Sequence, residues 1–228
     1  NELSSQLPIE ELAGRAMKAT NEAIEIDNFV RIHQAMDLQL FLDHISRYIQ
    51  LTPEEQSIFL SKVKFRKYLK GQFVVQEGDI CRYESFVLSG CLKTFYLDKQ
   101  GHEHIVMLAI EDWWTADLGS FISQTAADLN VQCLEDSELI QISSTDLQQL
   151  YIEIPKLERF FRIIIQNAFV AAQKRIINNL SLPAVERYVQ FRTQYPKIEQ
   201  RVPQYMIASY LGITKEFLSK IRAQLANN

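Results

Sequence analysis

The stretch RVPQYMIASYLGITKEFLSKIRAQL, from Arg201 to Leu225, carries the clearest structural pattern in the sequence. Its apolar and small residues recur at the spacings that two short helices need when they pack across a tight turn. Gly212 stands where the chain must reverse, and glycine adopts a positive φ there without a steric penalty. Thr214 follows as the expected N-cap of the second helix. The residues that form this pattern are Ile207, Ala208, Leu211, Gly212, Ile213, Leu218 and Ile221.

The pattern is typical of a helix-turn-helix that reads DNA. Leu218, Ile221 and Leu225 form the buried stripe of the second helix, so the opposite face is expected to be polar and exposed. Lysine can donate to guanine, glutamate can accept from cytosine, and hydroxyl groups can contact bases or phosphates. The alternative is an ordinary helical hairpin with a solvated face. The predicted DNA-binding residues are Thr214, Lys215, Glu216, Ser219, Lys220 and Arg222.

Charge is distributed unevenly along the 228 residues, whose formal net charge is -4. From Ser181 onward, seven Lys and Arg stand against three Glu, which makes this tail +4 and the remainder -8. The overall balance argues against a protein that coats nucleic acid indiscriminately. A basic module on an acidic body is instead suited to binding DNA with one end only.

Composition places the chain among folded proteins, with 47% apolar and 23% charged residues. The three cysteines, Cys81, Cys91 and Cys133, show no CxxC pairing and are interpreted as buried or free thiols rather than as redox or metal groups. The sequence contains neither a signal-peptide pattern nor an apolar run long enough for a membrane span. We therefore expect a cytoplasmic protein that does not bind a membrane.

The first two thirds of the chain change from helical to β patterning. Helical spacing covers Leu38 to Lys64, with a helix start at Thr52-Pro53. After Phe65, short runs of β-forming residues alternate with glycine-containing turns until about Ser143, which predicts an antiparallel sandwich or barrel. Residues 1–35 are weakly amphipathic and are interpreted as an N-terminal extension or a remnant outside the main fold.

A long apolar helix is predicted over residues 156–180. Its stripe is too wide to be covered on one side only. One side is expected to pack on the β domain and the other on the same helix of a second subunit, which makes the chain a homodimer. Complete burial within one monomer is the alternative. Ser181-Leu182-Pro183 then breaks the pattern as a hinge, and a further helix is expected from Ala184 to Tyr195.

This order of elements resembles the Crp/Fnr (catabolite-activator-like) family of bacterial transcription regulators over roughly residues 36–225. The resemblance implies an α+β fold: an N-terminal jelly-roll-like β-roll with the cyclic-nucleotide-binding-domain fold, a long dimerisation helix and a C-terminal helix-turn-helix domain. The expected parts are 1–35 (extension), 36–154 (effector-sensing β-roll), 155–180 (dimerisation helix) and 181–228 (DNA-binding domain). The motifs that carry the resemblance are VVQEGD (Val74–Asp79), LSG (Leu88–Gly90), the turn at Gly101, ADLGSF (Ala116–Phe121) and IASYLGITKEFLSKIR (Ile207–Arg222).

The resemblance also implies a function. Members bind double-stranded DNA as homodimers with one recognition helix per half-site, so the helix 214–225 is expected to read a palindromic site. Position by position, Lys215, Glu216, Ser219 and Lys220 fall where the family reads bases, and Thr214 falls where it contacts phosphate. The half-sites should lie one helical turn apart, roughly 34 Å.

This sequence differs from the cyclic-nucleotide-binding members of the family at the positions of their phosphate pocket. Their Gly-Glu-Leu stretch reads Ala116-Asp117-Leu118 here, and their Arg-Ser pair reads Ala127-Asp128. Loss of a charge-assisted hydrogen bond costs about 1.5–3 kcal/mol, and a like charge beside the phosphate adds to this. We expect an effector other than cyclic AMP: an apolar or cationic small molecule near Asp117, Asp128 and the tryptophans Trp113 and Trp114, or none. Packing is the alternative interpretation of both tryptophans. The predicted effector-pocket residues are Asp117, Leu118, Gly119, Ala127 and Asp128.

Two other functions compete with DNA binding. His102 and His104 on a strand resemble the metal-binding HxH of cupins, but no third histidine follows and exposed turn histidines explain the pair. A sensing or scaffold protein with a protein-binding helical tail is the other alternative. No nucleophile triad, P-loop or dinucleotide-binding pattern is present, so we expect neither an enzyme nor a cofactor.

Overall fold

The fold is described from a computed structural model for residues 38–226. The predicted N-terminal extension, residues 1–35, lies outside the described residues. The chain divides into two compact units, Asn1–Asp43 and His44–Asn228. In the first unit, the described residues are helical. All of the following concerns the second unit, apart from the first helix, which crosses the boundary.

The helices are α1 (38–46), α2 (Pro53–Lys62), α3 (Leu118–Ser123), α4 (Ser144–Glu153), α5 (Lys156–Ser181), α6 (Ala184–Gln194), α7 (Pro196–Arg201), α8 (Gln204–Tyr210) and α9 (Lys215–Ala226). The strands are β1 (Val63–Tyr68), β2 (Phe73–Val75), β3 (Tyr83–Ser89), β4 (Leu92–Leu97), β5 (Glu103–Ala109), β6 (Trp114–Thr115), β7 (Asn130–Cys133) and β8 (Ser137–Ser143).

The strands form two antiparallel four-stranded sheets, in the orders β1-β8-β3-β6 and β2-β7-β4-β5. The hydroxyls of Thr94 and Thr115 lie 3.1 Å apart and join the two sheets across the interior of the roll. Glycines with positive φ occupy the turns between strands, as at Gly78 and Gly101. This confirms the predicted antiparallel β-roll.

Helix α2 begins as the sequence predicts. The Thr52 hydroxyl accepts from the backbone N–H of Glu55 at 3.2 Å, and the Glu55 carboxylate accepts from the backbone N–H of Thr52 at 2.8 Å. This is a capping box with Pro53 at the first helical position. The prediction was wrong at the other end of α2, because the chain has become strand β1 by Val63 rather than after Phe65. The side chains from Val63 on pair in register with β8, and this long-range pairing overrides the local helical spacing.

A group of aromatic side chains lies between the first sheet and the start of α5. Trp114 Nε1 donates to Nε2 of His44 at 3.2 Å, and Phe160 makes ring contacts with His44, Tyr48 and Trp114. Because His44 Nε2 accepts this bond, its Nδ1 carries the proton and donates to Asp112 at 2.8 Å. Burial lowers the pKa of His44, which favours this neutral form.

The C-terminal helices share one apolar core with the outer face of the second sheet. Phe95, Ile105 and Leu108 of that sheet lie in the same buried cluster as the core of helices α6–α9. Helix α7 was not predicted, because the predicted helix over 184–195 ends at Gln194 and Pro196 begins a new one. The buried C-terminal residues of this core are Tyr188, Phe191, Ile198, Val202, Met206, Ile207, Ala208, Leu211, Leu218 and Ile221.

Candidate nucleic-acid interface

Helices α8 and α9 meet across the turn that the sequence predicts. Gly212 has a φ of +65°, and the backbone N–H of Ile213 donates to the carbonyl of Ala208 at 3.0 Å. The Thr214 hydroxyl accepts from the backbone N–H of Phe217 at 3.2 Å, which satisfies one of the free donors at the start of α9. The local chemistry of the sequence therefore fixes both the turn and the direction of α9.

The inner face of α9 is closed and its outer face is open. Leu218 and Ile221 are fully buried against α8 and its neighbours. The outer face carries two cations, one carboxylate and two hydroxyls in a row at the end of the module. The exposed residues of this face are Thr214, Lys215, Glu216, Ser219 and Lys220.

Arg222 is placed differently from the other predicted DNA-binding residues. Its guanidinium donates to the Glu199 carboxylate at 2.7 Å, and Tyr188 donates to the same carboxylate at 2.9 Å. Arg222 is also only partly exposed. In this arrangement it ties α9 to α7, and its charge is already paired.

Two residues that sequence reasoning missed lie on the exposed side of the module. Phe217 on α9 is 47% exposed, and Tyr205 on α8 is 49% exposed. An exposed aromatic ring can contact a thymine methyl group, and a tyrosine hydroxyl can donate to phosphate. Phe217 was detectable from the sequence, because it falls one residue before the buried Leu218 and so cannot share its face.

The module is anchored on the second sheet by polar contacts as well as by its core. Strand β5 is an edge strand, and the Ser209 hydroxyl on α8 binds it twice: it accepts from the Ile105 N–H at 3.0 Å and donates to the Glu103 carbonyl at 3.1 Å. These two hydrogen bonds give partners to backbone groups of β5 at an otherwise open sheet edge. Helix α9 takes no part in it, so its outer face stays accessible.

Arg201 forms the second anchor. Its guanidinium pairs with the carboxylates of Glu135 and Glu111 of the roll, with shortest distances of 2.6 Å and 2.7 Å. Hydrogen bonds to Glu135 and then Glu111 raise the pKa of Arg201 above its ordinary value. Arg201 is the first residue of the stretch 201–225. Its role could not be predicted from the sequence, because both partners lie more than 60 residues away in the chain.

Comparison with known proteins agrees with this architecture. Residues 65–153 match the family model of the cyclic nucleotide-binding domain. No curated protein sequence matches the chain. Among solved structures, the c-di-GMP-responsive global regulator CLP of Xanthomonas campestris aligns with a TM-score of 0.64 at 17% identity, over 77% of this chain and 92% of its own.

Two further structures show the same fold. The catabolite activator protein of Thermus thermophilus aligns with a TM-score of 0.50 at 20% identity, over 78% of this chain and 84% of its own. A protein from Eubacterium rectale described as a Crp/Fnr-family transcriptional regulator aligns with a TM-score of 0.60 at 15% identity, over 77% and 84%. This chain has the architecture of a Crp/Fnr regulator. The resemblance found in the sequence is thereby confirmed, and the matched proteins are regulators rather than enzymes.

In this Crp/Fnr architecture, α5 carries an apolar surface that residues 38–226 leave uncovered. This exposure argues against the predicted alternative of a helix buried wholly within one monomer, and the dimerisation helix stays a prediction. The exposed apolar residues of α5, which we call the α5 stripe, are Ile165 (38% exposed), Phe169 (63%), Val170 (60%), Ile176 (56%), Ile177 (60%) and Leu180 (83%). Exposed apolar patches of this kind mark interaction surfaces.

The predicted effector-pocket residues surround a carboxylate that is already bound. Asp117 is 5% exposed, and its carboxylate accepts three backbone hydrogen bonds, from Ser120 at 3.0 Å and from Asp128 and Leu129 at 2.9 Å each. Ala127 is buried, whereas the side chain of Asp128 is exposed. A ligand pocket at these residues stays a prediction. The geometry argues against a cationic effector at Asp117, because three backbone hydrogen bonds already occupy most of the acceptor positions of its carboxylate.

The tryptophans have packing contacts. Trp114 belongs to the aromatic group beside α5, and the Trp113 ring meets the Tyr195 ring of α6–α7 edge to face, with centroids 5.6 Å apart. These contacts support the packing interpretation rather than a ligand-binding role.

The two histidines of the cupin-like pattern share one acidic partner. His104 Nε2 lies 2.9 Å from the Asp98 carboxylate and His102 Nδ1 lies 3.3 Å from it. Hydrogen bonds from His104 and from the backbone of His102 hold the pKa of Asp98 well below its usual range. Within residues 38–226, no group of three or more His, Cys, Asp or Glu side chains is arranged to hold a metal ion. The three cysteines are buried and unpaired.

The described helices include none with the length and apolar character of a membrane span.

Proposed function

We propose that this chain is a transcription regulator that binds double-stranded DNA as a homodimer, with α9 of each subunit in one major-groove half-site. The observation that carries the proposal is the open outer face of α9. Lys215, Glu216, Ser219 and Lys220 are all exposed there, although Leu218 and Ile221 on the other side of the same helix are fully buried. A helix presented in this way can enter a major groove about 12 Å wide.

Charge supports the same assignment. The outer face of α9 belongs to the tail whose net charge is +4, and none of the ion pairs found among residues 38–226 involves Lys215 or Lys220. Both ammonium groups are therefore available to phosphates or to guanine. Arg222 is a weaker candidate, since it would have to leave Glu199 before it could contact DNA.

The α5 stripe supports the dimer. A second copy of the same helix would cover the stripe by an isologous contact in which each subunit buries the same residues. Two recognition helices would then be held at a fixed separation, which a palindromic site with half-sites about 34 Å apart requires. The hinge at 181–183 joins this helix to the DNA-binding module. An effector would act by favouring one arrangement of these two parts, and we infer that it is not cyclic AMP.

The proposal is tested by replacing the two lysines of α9. In the double variant K215A/K220A, affinity for a duplex that the native protein binds should fall about 100-fold, since each contact with a base or phosphate contributes on the order of 1–3 kcal/mol. Fluorescence anisotropy with a labelled duplex at two salt concentrations measures this. The slope of log affinity against log salt should also become shallower.

The matched control is K70A/K99A, which removes two exposed lysines from the roll. This variant should bind DNA like the native protein. Equal losses in the two double variants would show that binding follows net charge rather than α9, and the assignment of α9 would be abandoned.

A further inference from the structure

A groove between the open edges of the two sheets has features of a ligand site that the proposed function does not use. We call it the edge groove. It lies between β1 and β2, which are edge strands of different sheets, and has a volume of about 740 Å³. Sites for small molecules typically measure about 300–1,000 Å³. The six lining residues that matter here are Arg66, Tyr68, Phe73, Arg82, Tyr83 and Gln141.

The groove is positively charged. Its lining includes Arg66, Lys67 and Arg82 but no aspartate or glutamate. Lys67 pairs with Glu138 at 2.5 Å, whereas neither Arg66 nor Arg82 takes part in an ion pair with the described part of the chain. Two arginines in the lining of one groove, with no ion pair to the described residues, are unexpected in a chain with net charge -4, where acids outnumber bases. They create a local preference for an anion.

Aromatic rings stand beside these cations. Phe73 is 41% exposed although it is a large apolar residue, and Tyr68 and Tyr83 are partly buried in the same groove. A planar ligand can stack on such rings and on the flat guanidinium groups. The groove thus combines charge with an apolar surface.

The floor of the groove is polar and ordered. Gln141 is only 3% exposed, and its amide donates to the Ser85 hydroxyl at 2.9 Å and accepts from the Tyr68 hydroxyl at 3.4 Å. Burial raises the pKa of Tyr68, which favours the protonated hydroxyl that donates to Gln141. Fixed polar groups of this kind beside an apolar surface can orient a small ligand.

We propose that the edge groove binds a small organic anion with an aromatic body. The anionic group, a carboxylate, sulfonate or phosphate, lies between Arg66 and Arg82, and the ring lies against Phe73 and Tyr83. This site lies elsewhere than the pocket predicted at Asp117, and its ligand is anionic rather than apolar or cationic. The proposal concerns ligand binding alone. Its test contains no DNA, so the result is independent of the proposed function.

The test uses a pair of fluorescent probes that differ in one charged group. 8-Anilinonaphthalene-1-sulfonate carries a sulfonate, and N-phenyl-1-naphthylamine has the same rings without it. We expect the sulfonate to bind the native protein with one high-affinity site and the neutral compound to bind at least about 10-fold more weakly, since a charge-assisted hydrogen bond contributes about 1.5–3 kcal/mol. Equal affinity of the two probes, or no saturable binding of the sulfonate, would overturn the proposal.

Substitutions locate the site. The R66A/R82A variant should lose at least about 10-fold in affinity for the sulfonate and keep its weak affinity for the neutral probe. The control K99A/R159A removes two exposed cations elsewhere and should bind as the native protein does. Equal binding of the sulfonate by both variants would place the site outside the groove. All of these residues are exposed, so circular dichroism should show an unchanged fold.

Competition separates a small molecule from an acidic protein segment. Unlabelled 1-naphthoate should displace the sulfonate probe from the native protein, and a poly-glutamate peptide at equal charge concentration should not. Displacement by the peptide alone would assign the groove to an acidic peptide and contradict the small-molecule proposal.

Discussion

The two ends of helix α5 are both rich in apolar residues but have opposite surroundings. At the N-terminal end, Leu157, Phe160 and Phe161 are at most 3% exposed and pack among aromatic rings of the roll. At the C-terminal end, Phe169, Ile176 and Leu180 are between 56% and 83% exposed. Both ends are apolar, and the helix runs unbroken through 26 residues.

This difference separates burial within a chain from burial between chains. The hydrophobic effect contributes about 25 cal/mol for each Å² of apolar surface removed from water, whichever molecule covers it. The N-terminal end is covered by the roll of its own chain, so its contribution to stability does not depend on protein concentration. Residues 38–226 leave the C-terminal end exposed, so in the proposed dimer this end obtains the same stabilisation by association. Each prediction below acts on one end and should leave the other unaffected.

The largest effect is expected from a charge in the α5 stripe. In Ile176→Glu, dimerisation would bury two unpaired carboxylates, one per subunit, and should weaken by about 1,000-fold or more, which corresponds to at least about 4 kcal/mol. Sedimentation velocity across a concentration series measures this. The fold should be retained, because Ile176 is 56% exposed and is not part of the core of residues 38–226.

Asn167→Glu is the matched control for this charge. Asn167 is exposed and lies nine residues before Ile176, which places it on the opposite side of the helix. The N167E variant should remain dimeric. A monomeric N167E, or a dimeric I176E, would show that the stripe is not the interface.

The next effect compares the same substitution at the two ends. In the monomeric I176E background, Phe160→Ala should lower the free energy of unfolding by about 3–5 kcal/mol, because it leaves a cavity among the rings of His44, Tyr48 and Trp114. Phe169→Ala should change it by less than about 0.5 kcal/mol. Urea titrations followed by tryptophan fluorescence give both values, and similar losses at the two positions would contradict the comparison.

The smallest effect is a pH dependence confined to the buried end. Glu84 of β3 is 8% exposed, and burial raises its pKa to about 7. It lies near Tyr151, whose ring contacts Phe161 of α5, and burial followed by the charge of Glu84 raises the pKa of Tyr151. Between about pH 4.5 and 7 the folded protein therefore holds a proton that the unfolded chain has released.

The sign follows from linkage. A raised carboxyl pKa stabilises the fold below the unfolded pKa, and this contribution is lost as the pH rises through about 7. From pH 5 to pH 8 the free energy of unfolding should therefore fall by an amount on the order of 2–3 kcal/mol.

Glu84→Gln in the I176E background should remove this pH dependence, as measured by urea unfolding at both pH values. His44, whose lowered pKa acts in the opposite direction, is present in both proteins and cancels from the difference. An unchanged pH dependence in E84Q would show that Glu84 is not the titrating group.

Much of the fold could be predicted because its signals are local. The turn at Gly212, the cap at Thr214 and the capping box at Thr52 each depend on residues within four positions of one another. The wide apolar stripe of α5 likewise follows from spacing alone. These features are determined before the chain meets any distant partner.

The rest depends on contacts between distant residues. The anchor at Arg201 requires Glu111 and Glu135, and the anchor at Ser209 requires an edge strand about 100 residues earlier. Asp117 was identified as a pocket residue from its position in a motif, but the sequence could not show that its carboxylate binds the loop at Asp128. The edge groove was not predicted, because Arg66 of β1 and Arg82, which directly precedes β3, come together only when β8 pairs with both strands.

The claim on which the account depends is that two α9 helices read one duplex together. Selection of bound fragments from a random pool of double-stranded DNA, followed by sequencing, tests it most directly. We predict enrichment of an inverted repeat whose half-sites are centred about 10 base pairs apart, or one helical turn. Enrichment of a single asymmetric site, or no enrichment over the starting pool, would contradict the account.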